Sequence, residues 1–142
     1  MKATLQPGLT ASAKFAIDRE RTIDFMGEAA RVYATPMLVR DLEIACRNLL
    51  LAHLDAGEDS VGTRVEIDHI GATLLGMPVE LTVRVAEVNG RAVVFEVEGR
   101  DSVEPIVKGR HARFVVDVAK TGQRLAAKAA KAAKDETARA AG

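Results

Sequence analysis

The chain has one cysteine, one tyrosine, no tryptophan and only three histidines among its 142 residues. The lone cysteine, Cys46, excludes a disulfide within the chain and is typical of proteins in a reducing compartment. The cysteine and histidines lack the spacing of zinc ligands, so no metal site is predicted. No apolar run approaches the ~20 residues that span a bilayer, and residues 1–15 lack the apolar stretch of a secretory signal. We therefore expect a cytoplasmic protein without membrane segments.

A net charge of zero conceals an uneven distribution of charge. Residues 120–142 carry six Lys or Arg and two Asp or Glu, so this tail is +4 and residues 1–119 are −4. The tail is rich in alanine, and its lysines at three-residue spacing would share one face of a helix. No aromatic residue accompanies them, and the rest of the chain is acidic, which disfavours nucleic-acid binding. We predict one compact domain over residues 1–119 and a basic tail, helical or disordered, over residues 120–142.

Apolar periodicity predicts one long helix and five strands. The helix extends from Pro36 to about Leu54 and is apolar around most of its circumference, which is typical of a buried helix. Strands are predicted at residues 11–18, 61–70, 79–88, 93–97 and 106–118, with Asn89-Gly90 as a hairpin turn. One strand, a central helix and a meander of four strands indicate an α+β domain. A sheet wrapped around one buried helix is the hotdog fold.

The stretch TPMLVRDLE places a threonine before the helix and a glutamate eight residues later. Thr35 before Pro36 is typical of a helix N-cap, but a hydroxyl beside the unpaired N–H groups of a helix N-terminus can also contact an acyl group. Glu43 can pair with Arg47 on the helix surface. It also projects to the margin of the apolar stripe, where partial desolvation suits a general base or nucleophile. Helix geometry alone leaves these alternatives open.

The histidines also allow more than one interpretation. His69 ends a predicted strand whose inward-facing positions include Val65 and Ile67, so it is either a hydrogen-bonded core residue or a catalytic group. His53 lies near the helix end, where the helix dipole favours it. His111 is expected to form a hydrogen bond within the sheet.

Distance argues that a second copy of the chain takes part. Eight helical residues rise ~12 Å, so the threonine and glutamate of one straight helix cannot contact the same substrate atom. If they cooperate, a partner chain or a bent segment at the helix entry must close this gap. Two protomers with facing helices would do so, and a second apolar side at Ile44 and Leu51 gives a reason for pairing. We therefore predict a homodimer, with a tetramer as a further alternative. Arg40 and Asp41 are unusual in a buried helix and are expected to pair at the protomer interface or to mark a more open pocket.

Four segments, in order and at matching separations, resemble the fluoroacetyl-CoA thioesterase family of hotdog-fold proteins: ATPMLVRDLEIA, GEDSVGTRVEIDHIGAT, NGRAVVFEVEGRD and KGRHARFVVD. The resemblance covers about residues 8–120. It implies hydrolysis of acyl-CoA thioesters, with CoA as part of the substrate and no other cofactor. The family's catalytic threonine, glutamate and histidine fall on Thr35, Glu43 and His69.

The resemblance also implies a role for each residue. Glu43 would act as base or nucleophile toward the acyl carbonyl, Thr35 would position or polarise the thioester, and His69 would serve as acid or base. Gly62 matches a position where the backbone approaches the acyl pocket. Arg113 matches a family arginine near the site or the CoA.

His111, beside that arginine, is a lesser candidate for substrate binding. One departure concerns the substrate: Met26, Ala29 and Val32 lie where the fluoroacetate-specific enzymes carry an aromatic-rich lid. A short or medium acyl-CoA is therefore favoured over fluoroacetyl-CoA.

Two other functions are alternatives to hydrolysis. The first is a non-catalytic protein that binds acyl-CoA or another small ligand on the same fold. The second is a hotdog hydratase or dehydratase, which would need an Asp/His pair beside the acyl chain. Asp68 and His69 are neighbours but point to opposite faces of a strand, which disfavours this second alternative.

Overall fold

The computed structural model describes residues 1–141, which form seven strands and two α-helices. In chain order these are β1 (Thr10–Ala16), β2 (Thr22–Ile23), β3 (Val32–Tyr33), α1 (Thr35–Leu51), β4 (Glu58–His69), β5 (Pro78–Asn89), β6 (Ala92–Asp101), β7 (Pro105–Asp117) and α2 (Val118–Ala141). Helix α1 packs against one face of a five-stranded antiparallel sheet, and β2 and β3 pair separately. The predicted α+β hotdog fold is confirmed.

The strand order of the main sheet is β1-β5-β6-β7-β4. The predicted meander of four strands is therefore wrong in one respect, because β4 pairs with β7 at the far edge instead of with β5. No tight turn follows β4, and residues 70–77 carry the chain from that edge into the interior of the sheet. The predicted hairpin between β5 and β6 is present, and Gly90 adopts the φ of +60° that such a turn requires.

Helix α1 is buried on one side only. The residues of its predicted apolar stripe are all buried: Leu38, Leu42, Ala45, Cys46 and Leu49. The helix ends at Leu51, short of the predicted Leu54. Ile44 and Leu51, the second apolar side that was expected to face a partner protomer, are 46% and 36% exposed in the single chain. The sheet covers one face of the helix and leaves these two side chains in solvent.

The basic, alanine-rich tail forms helix α2, which follows β7 directly. Its first turn is capped by Asp117, whose Oδ1 accepts a hydrogen bond from the Lys120 N–H at 2.9 Å. None of its residues is buried. Neither helix in residues 1–141 combines the length and the apolar character that crossing a membrane requires.

Candidate active site

Thr35 is the first residue of α1 and contacts a histidine. The N-cap position is Ala34, and no side chain caps the helix. The prediction that Thr35 is the N-cap is therefore wrong. Its Oγ1 instead lies 2.7 Å from Nδ1 of His69, at the end of β4. The hydroxyl at the helix N-terminus is thus engaged with an ionisable side chain and not with the helix backbone.

His69 faces the α1 side of the sheet. It lies opposite Val107, which is buried, and opposite residues of paired strands share a face. Val65 has the same parity but is 42% exposed on the edge strand β4. Nε2 of His69 is buried and has no hydrogen-bond partner within residues 1–141. Burial lowers the pKa of His69, so its imidazole is neutral at pH 7.

Glu43 lies two turns further along α1, half-buried, and its carboxylate faces β4 and β7. Its Oε1 is 3.3 Å from a terminal nitrogen of Arg113. A Cβ placed on Gly62 would overlap Oε1, so only glycine allows this approach. The predicted pairing of Glu43 with Arg47 is wrong. Arg47 makes two hydrogen bonds to Asp59 instead, at 2.9 and 2.7 Å.

Arg113 is held beside Glu43 by two other residues and is only 4% exposed. It donates hydrogen bonds to Oγ and to the carbonyl oxygen of Ser60, at 2.7 and 2.8 Å. A third nitrogen is 3.2 Å from Nε2 of His111. His111 donates from Nδ1 to the carbonyl of Arg64 at 2.8 Å, so its Nε2 carries the lone pair and accepts from Arg113. The expectation that His111 forms a hydrogen bond within the sheet is confirmed.

The six candidate residues thus form two groups in one chain. Thr35 and His69 make the first group, which we call the Thr35 pair. The second, which we call the Glu43 cluster, consists of Glu43, Gly62, His111 and Arg113. No hydrogen bond or ion pair joins the groups within the described residues 1–141. An open cavity of about 340 Å³ lies over the Glu43 cluster and is lined in part by Ile44 and Arg47.

Other polar residues that the sequence singled out have different partners. Asp41 is buried and is bound by Arg21, whose Nε is 2.8 Å from Oδ2, and by the hydroxyl of Tyr33. Arg40 comes no closer to Asp41 than 4.0 Å, and its side chain is 48% exposed. Position in the sequence does not indicate the partners of Asp41, since they lie 8 and 20 residues away. His53 is bonded to Thr4, at 2.8 Å.

Ser60 is a candidate site residue that sequence reasoning missed. Its alternating position in β4, two residues before Gly62, places it on the same face as the glycine, which is the available signal. No group of three or more His, Cys, Asp or Glu side chains that could hold a metal ion occurs within residues 1–141.

We expect a moderate fall in pH to destabilise the folded protein through its buried histidines, at pH values where the carboxylates remain ionised. Burial lowers the pKa of both His69 and His111. A histidine with a lowered pKa binds fewer protons when folded than when unfolded, so its contribution is present above about pH 6.5 and is lost as the pH falls. The unfolding free energy of the wild type should decrease from pH 7 to pH 5 in denaturant titrations. An unchanged or rising value would contradict the assignment, and His69→Gln should show a shallower slope.

Solved structures place the fold among thioesterases. A hypothetical protein of Thermus thermophilus, described as a thioesterase superfamily member, is 27% identical and matches with a TM-score of 0.83 over 91% of this chain and 96% of that chain. A hot-dog-like protein from Thermanaerovibrio acidaminovorans is 24% identical and shares the fold, with a TM-score of 0.79 over 86% of this chain and 91% of that chain. The fold is thus the hotdog fold found in the thioesterase superfamily.

The family model described as fluoroacetyl-CoA-specific thioesterase matches residues 17–119, and the chain belongs to that family. It is 29% identical to the fluoroacetyl-CoA thioesterase of Streptantibioticus cattleyicolor over 127 residues, which are 84% of this chain and 91% of that protein. The crystal structure of a phenylalanine-to-alanine variant of the fluoroacetyl-CoA-specific thioesterase matches with a TM-score of 0.82 at 28% identity, covering 89% and 99% of the two chains. The resemblance drawn from the four segments is confirmed.

Proposed function

We propose that this protein hydrolyses a short or medium acyl-CoA to the free acid and CoA. Membership in a thioesterase family supports the reaction class. The observation that carries the proposal is the Thr35 pair: the hydroxyl at the start of α1 contacts His69 instead of capping the helix, and Nε2 of His69 is buried without a partner. A buried polar nitrogen without a partner is costly in a folded protein, and a role in catalysis is one explanation for keeping it.

The proposed mechanism uses the carboxylate of Glu43 and the Thr35 pair. Glu43 either takes a proton from the attacking water or attacks the acyl carbon itself, in which case water then cleaves the acyl-enzyme. In both routes the carbon–sulfur bond breaks, hydroxide from water ends on the acyl carbon and the thiolate of CoA takes up a proton. The buried guanidinium of Arg113 holds the Glu43 carboxylate in place. Thr35 polarises the carbonyl, and neutral His69 exchanges a proton through Nε2.

We infer that a homodimer completes the site. Within one chain the Thr35 pair and the Glu43 cluster lie about 12 Å apart along the helix axis, by the rise per residue. Strand β4 is an edge strand whose other side has no partner strand among residues 1–141. Ile44 and Leu51 are exposed on the outer side of α1, and Ile44 also borders the cavity over Glu43. A second copy covering this side would bring its own Thr35 pair toward Glu43. Whether dimers pair into tetramers stays a prediction.

Ile44→Asp is expected to shift the protein from dimer to monomer and to reduce hydrolysis at least about tenfold, because it places a charge in a desolvated contact. Sedimentation velocity and thiol release measure the two effects. Leu125→Asp is the matched control, since Leu125 is 60% exposed on α2, away from this surface. A wild-type protein that sediments only as a monomer would refute the shared site.

The substrate proposal depends on the segment before α1. Two variants of the fluoroacetyl-CoA-specific relative have been solved, one replacing a phenylalanine and the other a threonine. The phenylalanine lies six residues before the threonine in that protein. Ala29 lies six residues before Thr35 in this chain. The neighbouring large side chains Phe25 and Met26 are 85% and 67% exposed. These features support a short or medium acyl group other than fluoroacetyl. A cytoplasmic location is also proposed, supported by the free, buried thiol of Cys46.

Free-thiol release from a panel of acyl-CoAs tests the proposed function. The panel contains fluoroacetyl, acetyl, butyryl, hexanoyl and longer acyl groups, and we expect the largest kcat/KM for a short or medium chain other than fluoroacetyl. Thermal stabilisation by acyl-CoA without thiol release would refute hydrolysis and favour the non-catalytic binder. Hydration of an enoyl-CoA without thiol release would favour the hydratase, although Asp68 is exposed on the opposite face from His69.

A further inference from the structure

A buried network of three side chains joins α1 to the segment that precedes it. Asp41 is 6% exposed, and Arg21 donates to both of its oxygens, at 2.8 and 3.2 Å. Tyr33 donates its hydroxyl hydrogen to the same carboxylate. Burial and this hydrogen bond raise the pKa of Tyr33, so the hydroxyl remains protonated at neutral pH and acts as a donor. The network contacts neither group of the candidate site through hydrogen bonds.

The ring of Tyr33 lies between two other rings. Its centroid is 6.4 Å from that of His69, with the ring planes at 81°, and 6.4 Å from that of Phe15, with the planes at 85°. Both are edge-to-face contacts of the kind that fixes ring orientation. The guanidinium of Arg21 lies 4.6 Å from the ring centre of Phe15, so the same arginine that binds Asp41 also holds Phe15. The rings of Phe15, Tyr33 and His69 thus form a continuous series of contacts, with Arg21 packed on Phe15 at one end.

The backbone reinforces this contact between Tyr33 and His69. The N–H of Tyr33 donates to the carbonyl of Thr73 at 2.8 Å, which attaches β3 to the loop that follows His69. Thr35, two residues after Tyr33, supplies the hydroxyl on Nδ1 of His69. The segment from Tyr33 to Thr35 thus contacts the imidazole twice, once with a ring and once with a hydroxyl.

We propose that Tyr33 is a positioning residue for His69: Asp41 holds the tyrosine hydroxyl, and the tyrosine ring holds the imidazole with Nδ1 on Thr35 and Nε2 turned toward the substrate. The expected effect on catalysis rests on the proposed function, but the positioning of His69 by Tyr33 does not. Tyr33 acts only through His69, so its loss should reduce kcat and leave KM nearly unchanged. The hydroxyl matters because it prevents the ring from rotating away from the imidazole.

Two variants and one control test this role. Tyr33→Phe removes the hydroxyl but keeps the ring, and Tyr33→Leu removes the ring. Phe95→Leu is the control for stability, since Phe95 is equally buried and stacks on His111 and not on His69. The imidazole nitrogen signals of His69 in NMR spectra provide a readout that needs no activity. Tyr33 is the only tyrosine in a chain without tryptophan, so its fluorescence reports the hydrogen bond to Asp41 directly.

We expect Tyr33→Phe to shift or broaden the His69 signals and to lower kcat about tenfold, and Tyr33→Leu to lower it about 100-fold, as small misplacements of catalytic groups do. KM should change less than about twofold in both, because the ring does not contact the substrate. Phe95→Leu should lose stability and leave the His69 signals in place. Unchanged His69 signals in both tyrosine variants would overturn the proposal. If the wild type hydrolyses no acyl-CoA, the proposed function fails, and the NMR comparison still decides whether Tyr33 positions His69.

Discussion

Glu43→Gln is expected to lower kcat for acyl-CoA hydrolysis by about 10³-fold, within the range that general-base groups contribute. Glutamine has nearly the same shape but can neither attack the acyl carbon nor accept the proton of water. It also loses the charge that faces Arg113 at 3.3 Å. Thiol release under saturating substrate measures the effect. Arg113, which is buried, loses its carboxylate partner in this variant, so some loss of stability is expected. The fold should persist, because the hydrogen bonds of Arg113 to Ser60 and His111 remain.

Glu66→Gln is the matched control for this variant. Glu66 lies in β4 and allows the same glutamate-to-glutamine change, but its side chain is 70% exposed and, within the described part of the chain, its one ion pair is with Arg64. Exposed ion pairs of this kind contribute less than about 1 kcal/mol, so neither activity nor stability should change much. Undiminished hydrolysis by Glu43→Gln would refute the catalytic role assigned to Glu43 but not the assignment of the fold.

Gly62→Ala is expected to reduce kcat about 100-fold with little loss of stability, as a misplacement of a reacting group by about 1 Å can do. A Cβ at this position would overlap Oε1 of Glu43 and approach Cε1 of His111 to 3.2 Å. The flexible carboxylate can move aside, so the added methyl group displaces it from its place beside Arg113. The φ of Gly62 lies outside the left-handed region, so alanine fits the backbone without strain.

Gly122→Ala controls for the general effect of replacing a glycine. Gly122 lies within α2, and a Cβ there would meet nothing within 4 Å. Alanine favours a helix over glycine by up to about 1 kcal/mol, so this variant should be equally or more stable and fully active. If Gly62→Ala retains wild-type kcat, the carboxylate of Glu43 does not need its observed position, and the proposed mechanism is wrong.

Local sequence patterns predicted most of the fold because each carried its own signal. The alternation in β5 to β7, the turn at Asn89-Gly90 and the apolar stripe of α1 all describe short-range geometry. The pairing of β4 with β7 was not predictable in this way, because sheet neighbours depend on where an eight-residue connection leads. The second apolar side of α1, at Ile44 and Leu51, was noted in the sequence, but its pattern did not show whether the sheet or a second protomer covers it. An apolar residue that faces a second chain has the same pattern as one that faces the core.

The sequence indicated which residues form the candidate site, but it did not indicate which side chains each of them contacts. Thr35, Glu43 and His69 were indicated by resemblance, whereas their nearest neighbours were not. A threonine before proline has the pattern of a helix cap, and only the tertiary position of β4 directs its hydroxyl to His69. Likewise, Arg47 is four residues from Glu43, yet it pairs with Asp59. That pairing is bidentate, and such a pair is stronger than a single contact between exposed side chains on one helix.

The most direct test of the shared site mixes two inactive chains. Glu43→Gln and His69→Ala are purified separately, unfolded together and refolded as a mixture. If each site takes Glu43 from one protomer and His69 from its partner, half of the dimers contain one intact site, and the mixture should regain about a quarter of wild-type activity, as random pairing in a twofold-symmetric dimer requires. Activity no greater than that of the two separate variants would contradict a site shared between protomers.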